Sequence, residues 1–134
     1  MRMRTTSQAS LAISAAAVVL FLLLPTAASA HAGMISSEPG RRAVLSVVPK
    51  QIRLCFNENV EAAFSKVLLE DAAGKPVMLP PPVRDASKAS CLMVPLPVLA
   101  NGGYTVKYKV LSVDGHVVEY GYSFRIQAAG VVND

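Results

Sequence analysis

The sequence predicts an all-β protein, a Greek-key β-sandwich or barrel of about seven strands. Between residues 33 and 126, short stretches with apolar residues at alternate positions follow one another, and this is the period of a half-buried strand. Turn-forming residues separate the stretches. No stretch keeps the apolar period of an amphipathic helix long enough to build a helix layer. The pattern is therefore that of packed sheets.

Six stretches carry the strand pattern clearly, and they are Gly33–Ser37, Gln51–Phe56, Phe64–Glu70, Ser90–Leu96, Tyr104–Val113 and Tyr120–Ile126. The run Pro80–Pro82 has no backbone N–H groups to donate, so it predicts a loop or an edge crossing. Residues 127–134 predict a frayed tail.

The aromatic residues after residue 30 are predicted to pack in the core, because large rings are usually buried and each of these lies in a strand pattern. They are Phe56, Phe64, Tyr104, Tyr108, Tyr120, Tyr122 and Phe124.

Residues 1–30 have the three parts of a secretory signal peptide. Arg2 and Arg4 form a basic start, Leu11–Leu24 is an apolar run of 14 residues, and Ala28–Ala30 has small residues before the cut. A membrane anchor is the alternative, but the run is shorter than the roughly 20 apolar residues that span a bilayer. We expect cleavage after Ala30, which leaves residues 31–134 as one exported domain that does not span the membrane.

The predicted domain has 104 residues, an ordinary size for a single domain. It holds 11 Lys and Arg against 9 Asp and Glu, a net charge of about +2. Its longest basic run is Arg41–Arg42. This charge is too weak and too scattered to indicate binding to nucleic acid or to an anionic membrane.

Cys55 and Cys91 are the two cysteines of the chain, and an exported protein is permitted a disulfide. Both lie at the alternate strand positions that are predicted to face solvent. If these strands are antiparallel neighbours, the two sulfur atoms meet on the solvent-facing side of the sheet. Two free thiols are the alternative.

The chain has two histidines, His31 and His116. After cleavage His31 is the first residue, and its α-amine and ring nitrogen lie close enough to chelate one metal ion. His116 follows Asp114–Gly115, which is first of all a turn signal, so a polar residue beside a turn is the alternative interpretation. Amine and imidazole nitrogens suit tetragonal Cu(II), and our working hypothesis is a copper site built from both histidines. Without clustered thiols, a closed structural zinc site is not expected.

Four motifs follow His31–Ala32 along the chain, and they are Ser36–Pro39, Ile52–Val60, Gly103–His116 and Gly121–Phe124. Together they resemble the CopC-type periplasmic copper-binding proteins, over nearly all of the exported domain. The resemblance implies a small Greek-key β-sandwich, related in shape to immunoglobulin and cupredoxin domains, that binds Cu(II) outside the cytoplasm.

The resemblance also implies a set of ligands. His31 gives its amine and imidazole, His116 gives its imidazole, and Asp114 gives a carboxylate oxygen. Glu58 lies near the site as a weaker or indirect partner.

Two departures from the family pattern stand out. Some relatives hold Cu(I) through a methionine-rich loop, whereas this domain has only Met34, Met78 and Met93. We therefore expect a Cu(II) site without a Cu(I) site. We expect the three methionines to fill the core. The family also has its next glycine four residues past the histidine, whereas Gly121 stands five past His116. The extra residue predicts a bulge or a longer hairpin.

The resemblance implies capture of Cu(II) in the periplasm, for copper homeostasis, resistance or delivery to a separate membrane transporter of the CopD type. The alternative is a copper-dependent oxidase or monooxygenase, because an N-terminal histidine with a second histidine also holds copper in polysaccharide-oxidising monooxygenases. A carboxylate beside the metal, the small size and the lack of tryptophan argue against it, so we expect no enzyme. A metal-free interaction module is the third class, since a fold does not fix a function.

Overall fold

The computed structural model describes residues 33–130. The chain divides into two units, residues 1–30 and 31–134, and all of the described residues belong to the second. The predictions about the signal peptide, its cleavage site and His31 lie outside the described residues. No described residue forms a helix, so this part of the chain has no helix that is long and apolar enough to cross a membrane.

Nine strands make up the described chain, and they are β1 (Met34–Glu38), β2 (Val44–Leu45), β3 (Gln51–Phe56), β4 (Val60–Asp71), β5 (Pro76–Val77), β6 (Val83–Asp85), β7 (Lys88–Pro95), β8 (Gly102–Ser112) and β9 (Val117–Ile126). They form a four-stranded sheet in the order β1-β3-β7-β6 and a five-stranded sheet in the order β2-β9-β8-β4-β5. All neighbours are antiparallel except β2 and β9. The all-β prediction is confirmed.

The alternation of apolar and polar residues in the sequence accounts for which side chains form the core. Ile52 and Leu54 of β3 and Leu92 of β7 are fully buried in the four-stranded sheet, and Val106 and Ile126 are fully buried in the five-stranded one. These side chains belong to one apolar cluster that draws on both sheets. Burial of each such side chain contributes about 2 kcal/mol to stability.

The structure contains all six predicted strands, with ends shifted by a few residues, and adds β2, β5 and β6. These three strands have only two or three residues, which is too short to show a period. The largest difference is in β4, which begins at Val60 and not at Phe64. A bulge between Glu61 and Lys66 interrupts its alternation, and this explains why the first part of the strand was missed.

The prediction that all seven aromatic residues lie in the core is wrong for two of them. Phe64 is 73% exposed because it lies in the bulge of β4. Tyr120 is 64% exposed although it has the inward parity of β9, because it lies on a part of that strand that β2 does not flank. The other five rings are buried.

Cys55 and Cys91 face each other across β3 and β7 and form a disulfide with 4.1 Å between their Cα atoms. The expectation that this disulfide faces solvent is wrong, because the two residues are 1% and 0% exposed. Both lie on the central strands of the four-stranded sheet, where the flanking strands cover short side chains.

Three smaller expectations need correction. Met78 is 88% exposed and fills no core, whereas Met34 packs against the apolar cluster. The tail is ordered at its start, because Asn101 exchanges two hydrogen bonds with the Ala128 backbone. The bulge predicted near His116 is absent from the pairing of β8 with β9, whose register is continuous from Gly102 to Leu111, and the longer hairpin is the alternative that remains.

Candidate metal centre

Two turns meet at one end of the sandwich. Residues 57–59 join β3 to β4, and residues 113–116 join β8 to β9. β4 and β8 are paired neighbours, with Val60 opposite Ser112. The Val113 N–H donates to the Asn59 carbonyl at 3.0 Å and extends this pairing into the turns. Glu58 and the Asp114–His116 segment are therefore held side by side.

The buried hydroxyl of Ser112 organises the second turn. Ser112 is 1% exposed, and its Oγ donates to the Asp114 carboxylate and accepts from the His116 N–H at 3.1 Å. The Ser112 N–H donates to the His116 carbonyl at 2.8 Å and closes the turn. Gly115 occupies the position with φ of 91°, which glycine adopts without strain. This arrangement fixes the direction of both Asp114 and His116.

Glu58, Asp114 and His116 each offer a ligand atom, and these atoms lie within 4.8 Å of one another. His116 Nδ1 is 2.9 Å from Asp114 Oδ2, and Nε2 has no partner among the described residues. Glu58 Oε2 is buried and also lacks a hydrogen-bond partner there. A buried carboxylate oxygen without a donor is unfavourable unless a cation or a proton reaches it. This donor set fits a metal ion that accepts oxygen and nitrogen ligands.

The Asp114 carboxyl is ionised at neutral pH. The hydrogen bond from the Ser112 hydroxyl is the largest cause, and with smaller hydrogen bonds from the His116 ring and N–H it outweighs partial desolvation and lowers the pKa of Asp114 to about 2. No Lys or Arg of the described residues forms an ion pair with Asp114 or Glu58. The negative charge at this end is therefore available to a bound cation.

The beginning of the described chain is attached beside this cluster. Asn57 Oδ1 accepts from the Gly33 N–H at 2.7 Å, and the Asn57 N–H donates to the Gly33 carbonyl at 3.0 Å. Asn57 is the residue before Glu58. Gly33 is therefore fixed next to the cluster, two residues after His31.

The disulfide lies directly behind the same end. Cys55 is two residues before Asn57, and Cys91 follows Ser90. Ser90 and Asn57 line a shallow surface depression together with Glu58, Asn59, Val113 and Asp114. The disulfide thus joins the two strands whose ends form one wall of this depression.

Of the four predicted ligands, the structure brings Asp114, His116 and Glu58 together, and His31 lies outside the described residues. Sequence reasoning did not assign a role to Ser112 or Asn57. A serine two residues before an aspartate at a strand end is a signal for the first, because such pairs form side-chain hydrogen bonds in turns. The contact between Asn57 and Gly33 joins distant residues and has no local signal.

Comparison with known proteins places this geometry in a family. The CopC domain matches residues 34–127. Protein YobA of Escherichia coli K12 is 32% identical over 114 residues, which cover 84% of this chain and 92% of YobA. The copper transport protein CutJ of Bacillus subtilis is 30% identical over 114 residues, which cover 84% of this chain and 21% of CutJ.

Solved structures agree with the family match. CopC from Methylosinus trichosporium OB3b superposes with a TM-score of 0.71 at 33% identity, covering 77% of this chain and 100% of that one. PcoC, a methionine-rich copper resistance protein from Escherichia coli, superposes with a TM-score of 0.65 at 26% identity, covering 73% of this chain and 100% of that one. The chain therefore belongs to the CopC domain family.

Proposed function

We propose that this protein binds Cu(II) in the periplasm, where it sequesters copper or delivers it to a membrane transporter of the CopD type. The observation that carries the proposal is the cluster of Glu58, Asp114 and His116 beside the point where Gly33 is attached. Its role is that of a binding protein and not of an enzyme.

The attachment of Gly33 supports His31 as a ligand. Two residues span at most about 7 Å, so residue 31 begins within a short reach of the cluster. Cleavage after Ala30 would make its α-amine free to bind. His31 then supplies two nitrogen ligands, its amine and its imidazole. His116 supplies a third nitrogen through its imidazole, and Asp114 supplies an oxygen.

The charge balance supports an oxidised, divalent ion. Two carboxylates that have no Lys or Arg partner among residues 33–130 favour a hard or borderline cation such as Cu(II) over Cu(I), which prefers thioether and thiolate sulfur. The two thiols of the chain are consumed in the disulfide. The three methionines of the predicted domain are spread over the fold, which does not favour a methionine-rich Cu(I) site: Met34 packs against the core on β1, Met78 lies exposed after β5, and Met93 lies on β7 opposite Arg53 and Val83.

The test is Cu(II) titration of protein purified from the periplasm, followed by electron paramagnetic resonance. We expect an N-terminus at His31, one site per chain and a tetragonal signal with nitrogen ligands. His116→Ala should weaken binding by more than about 100-fold, since even indirect partners of a metal contribute about 10- to 100-fold. Equal copper affinity of the two proteins would contradict the assignment.

A further inference from the structure

The outer face of the five-stranded sheet carries large apolar side chains that are exposed to solvent. Val67 of β4 and Tyr108 of β8 belong to the core, so their neighbours along each strand point outward. Leu68 is 58% exposed, Val117 of β9 is 56% exposed, and Phe64 in the bulge of β4 is 73% exposed. Apolar groups gathered on one exposed face are typical of a surface that binds another protein.

The bulge of β4 accounts for the direction of Phe64. Ser65 is buried, and its Oγ donates to the Glu61 carbonyl at 2.8 Å and accepts from the Leu111 N–H at 3.2 Å. The residues on either side of it, Phe64 and Lys66, are exposed. Residues two apart on a strand share a face, so Phe64 lies on the outer face with Lys66.

Lysines stand beside these apolar side chains. Lys66 and Lys109 are directly opposite each other in the pairing of β4 with β8, and like charges in this position repel. Lys66 forms no ion pair within residues 33–130. Lys109 has Glu119 at 3.8 Å between Nζ and Oε2, and this pair is weak because both side chains are more than half exposed. The two lysines therefore carry positive charge that an added carboxylate would balance.

An open hollow of about 340 Å³ lies between these groups. It is lined by residues of three strands, which include Lys66, Leu68, Lys107, Lys109, Glu119 and Tyr120. Its surface is mainly apolar, since lysines contribute their aliphatic stems as well as their charges. Lys107 is already paired with Glu70 at 2.9 Å. The hollow thus offers an apolar floor next to the two lysines that lack a strong partner.

The same face reaches the metal centre. Val117 follows His116 directly in the chain and pairs with Leu111 of β8. Val113, in the turn that holds Asp114, is 53% exposed. A protein bound on this face therefore lies next to the cluster of Glu58, Asp114 and His116.

We propose, on the basis of the proposed copper-binding function, that this face docks the protein with which the chain exchanges copper, through a partner segment that sets an apolar side chain between carboxylates. The apolar side chain packs on Leu68 and Phe64, and the carboxylates pair with Lys66 and Lys109. The hollow is small, so the complex is weak and reversible, as the exchange of a metal ion requires.

Charge complementarity is the reason for choosing an acidic partner over a second copy. A symmetric pair of copies joined through this face would set the same patch against itself. Lys66 and Lys109 of one copy would then face the lysines of the other, which is unfavourable. A segment with carboxylates removes the existing repulsion between these two lysines.

The probe for the test is a capped synthetic peptide with two leucines between two pairs of aspartates. In an extended chain, each side of this peptide presents one leucine between two carboxylates. The measurement follows amide chemical shifts as the peptide is added to metal-free protein purified from the periplasm. We expect shifts at Lys66, Leu68 and Lys109 with a Kd of about 1 mM. A peptide with lysine in place of aspartate should cause none.

Two pairs of variants separate the charge from the apolar contact, and all four replace exposed side chains. Lys66→Glu should weaken peptide binding by about 10-fold or more, because it replaces attraction with repulsion. Lys50→Glu, the same charge change before β3 in the other sheet, should leave binding unchanged. Phe64→Ser should weaken binding by about 3-fold through lost apolar contact. Its control is Val47→Ser, since Val47 is 75% exposed between β2 and β3.

Copper loading tests the link to the metal centre. Cu(II) is paramagnetic and broadens the signals of nearby nuclei, so the peptide signals should broaden with copper-loaded protein and stay sharp with metal-free protein. Copper-loaded Lys66→Glu should leave them sharp. A protein that takes up no copper would refute the proposed function while the shifts caused by the peptide remain, so the two proposals fail separately.

Four outcomes would each overturn the docking proposal. They are equal peptide affinity of Lys66→Glu and wild type, equal shifts with the acidic and basic peptides, sharp peptide signals with copper-loaded wild type, and shifts of the same amides when the protein alone is concentrated. The last outcome would identify a second copy as the occupant of this face.

Discussion

Two aspartates of this protein lie in turns of similar chemistry and yet differ in what they can bind. Asp85, at the β6–β7 turn, accepts hydrogen bonds from the Ser87 hydroxyl and N–H, and Asp114, at the β8–β9 turn, accepts one from Ser112. Each has its pKa lowered to about 2, in each case first by the serine hydroxyl. Local turn chemistry is thus sufficient to keep either carboxyl ionised.

The difference lies in the cation. Arg53 donates to Asp85 through two nitrogens at 2.9 and 3.0 Å, so the charge of Asp85 is already balanced. Asp114 lies beside His116 and the second carboxylate, Glu58, and no Lys or Arg of the described residues forms an ion pair with it. A permanently charged arginine balances Asp85 inside the protein, whereas Asp114 lies in the turn that we propose binds an added ion. The identity of the neighbour, and not the pKa, separates the two roles.

Neutralising each aspartate should give the largest contrast. Asp114→Asn removes a ligand charge and should weaken Cu(II) binding by about 100-fold. Asp85→Asn should leave copper affinity unchanged, because Asp85 belongs to the other turn. Competition titration against a chelator of known affinity measures both variants. Equal losses of affinity would mean that the contrast between the turns has no functional meaning.

Removing the serine hydroxyls tests how the turns are held. Ser112→Ala removes the donor to the Asp114 carboxylate and the nearer acceptor of the His116 N–H, whose other acceptor is Asp114 Oδ1 at 3.4 Å. It should weaken copper binding by about 10-fold and lower the free energy of unfolding by about 1–3 kcal/mol. Ser112→Thr, which keeps the hydroxyl, should recover part of the copper affinity.

Ser87→Ala is the matched control, since it removes the hydroxyl from the other turn. It should leave copper affinity and the paramagnetic resonance spectrum unchanged. A spectrum of Ser112→Ala identical to that of wild type would show that Ser112 does not position the ligands.

The pH dependence of copper affinity distinguishes the contribution of the Asp114 carboxylate from that of the nitrogen ligands. Asp114 stays ionised down to about pH 2, so protons do not compete for it at neutral or mildly acid pH. The fall in affinity on acidification should come from the amine and imidazoles, which must lose protons to bind. Asp114→Asn should therefore lower the affinity without changing its slope against pH. A shallower slope in the variant would contradict this division.

Acid unfolding should show the smallest effect. Because the folded pKa of Asp85 is about 2, below its usual 3.8, its contribution is present above about pH 4 and is lost as the pH falls towards 2. Asp85→Asn should be less stable than wild type at neutral pH and lose less stability over this acid range. Urea unfolding at several pH values measures the difference, and parallel curves for the two proteins would refute it.

The alternation of apolar and polar residues predicted the strands that have five or more residues, apart from the start of β4. It could not predict whether a neighbouring strand covers a residue of inward parity. Tyr120 is exposed for this reason, because β8 flanks that part of β9 on one side but β2 does not reach it on the other. The same limit applies to Cys55. Its place among the polar positions of β3 predicted exposure, but the residue is buried between flanking strands.

The site was predictable where it was local. Asp114 and His116 share one turn. His116 was a candidate ligand as one of the two histidines of the chain, and the family resemblance added Asp114. Glu58 came from the resemblance alone, since it joins the others only through the pairing of β4 with β8. The balancing of Asp85 by Arg53, 32 residues away, is a contact that no local pattern encodes.

The central claim is that Cu(II) is held between a free N-terminal His31 and the cluster of Glu58, Asp114 and His116. The most direct measurement compares Cu(II) affinity and paramagnetic resonance of the mature chain with those of a chain that has one extra residue before His31. We predict one nitrogen-rich tetragonal site that the extension weakens strongly, because it removes the free amine of His31. Equal affinity and identical spectra of the two chains would contradict the claim.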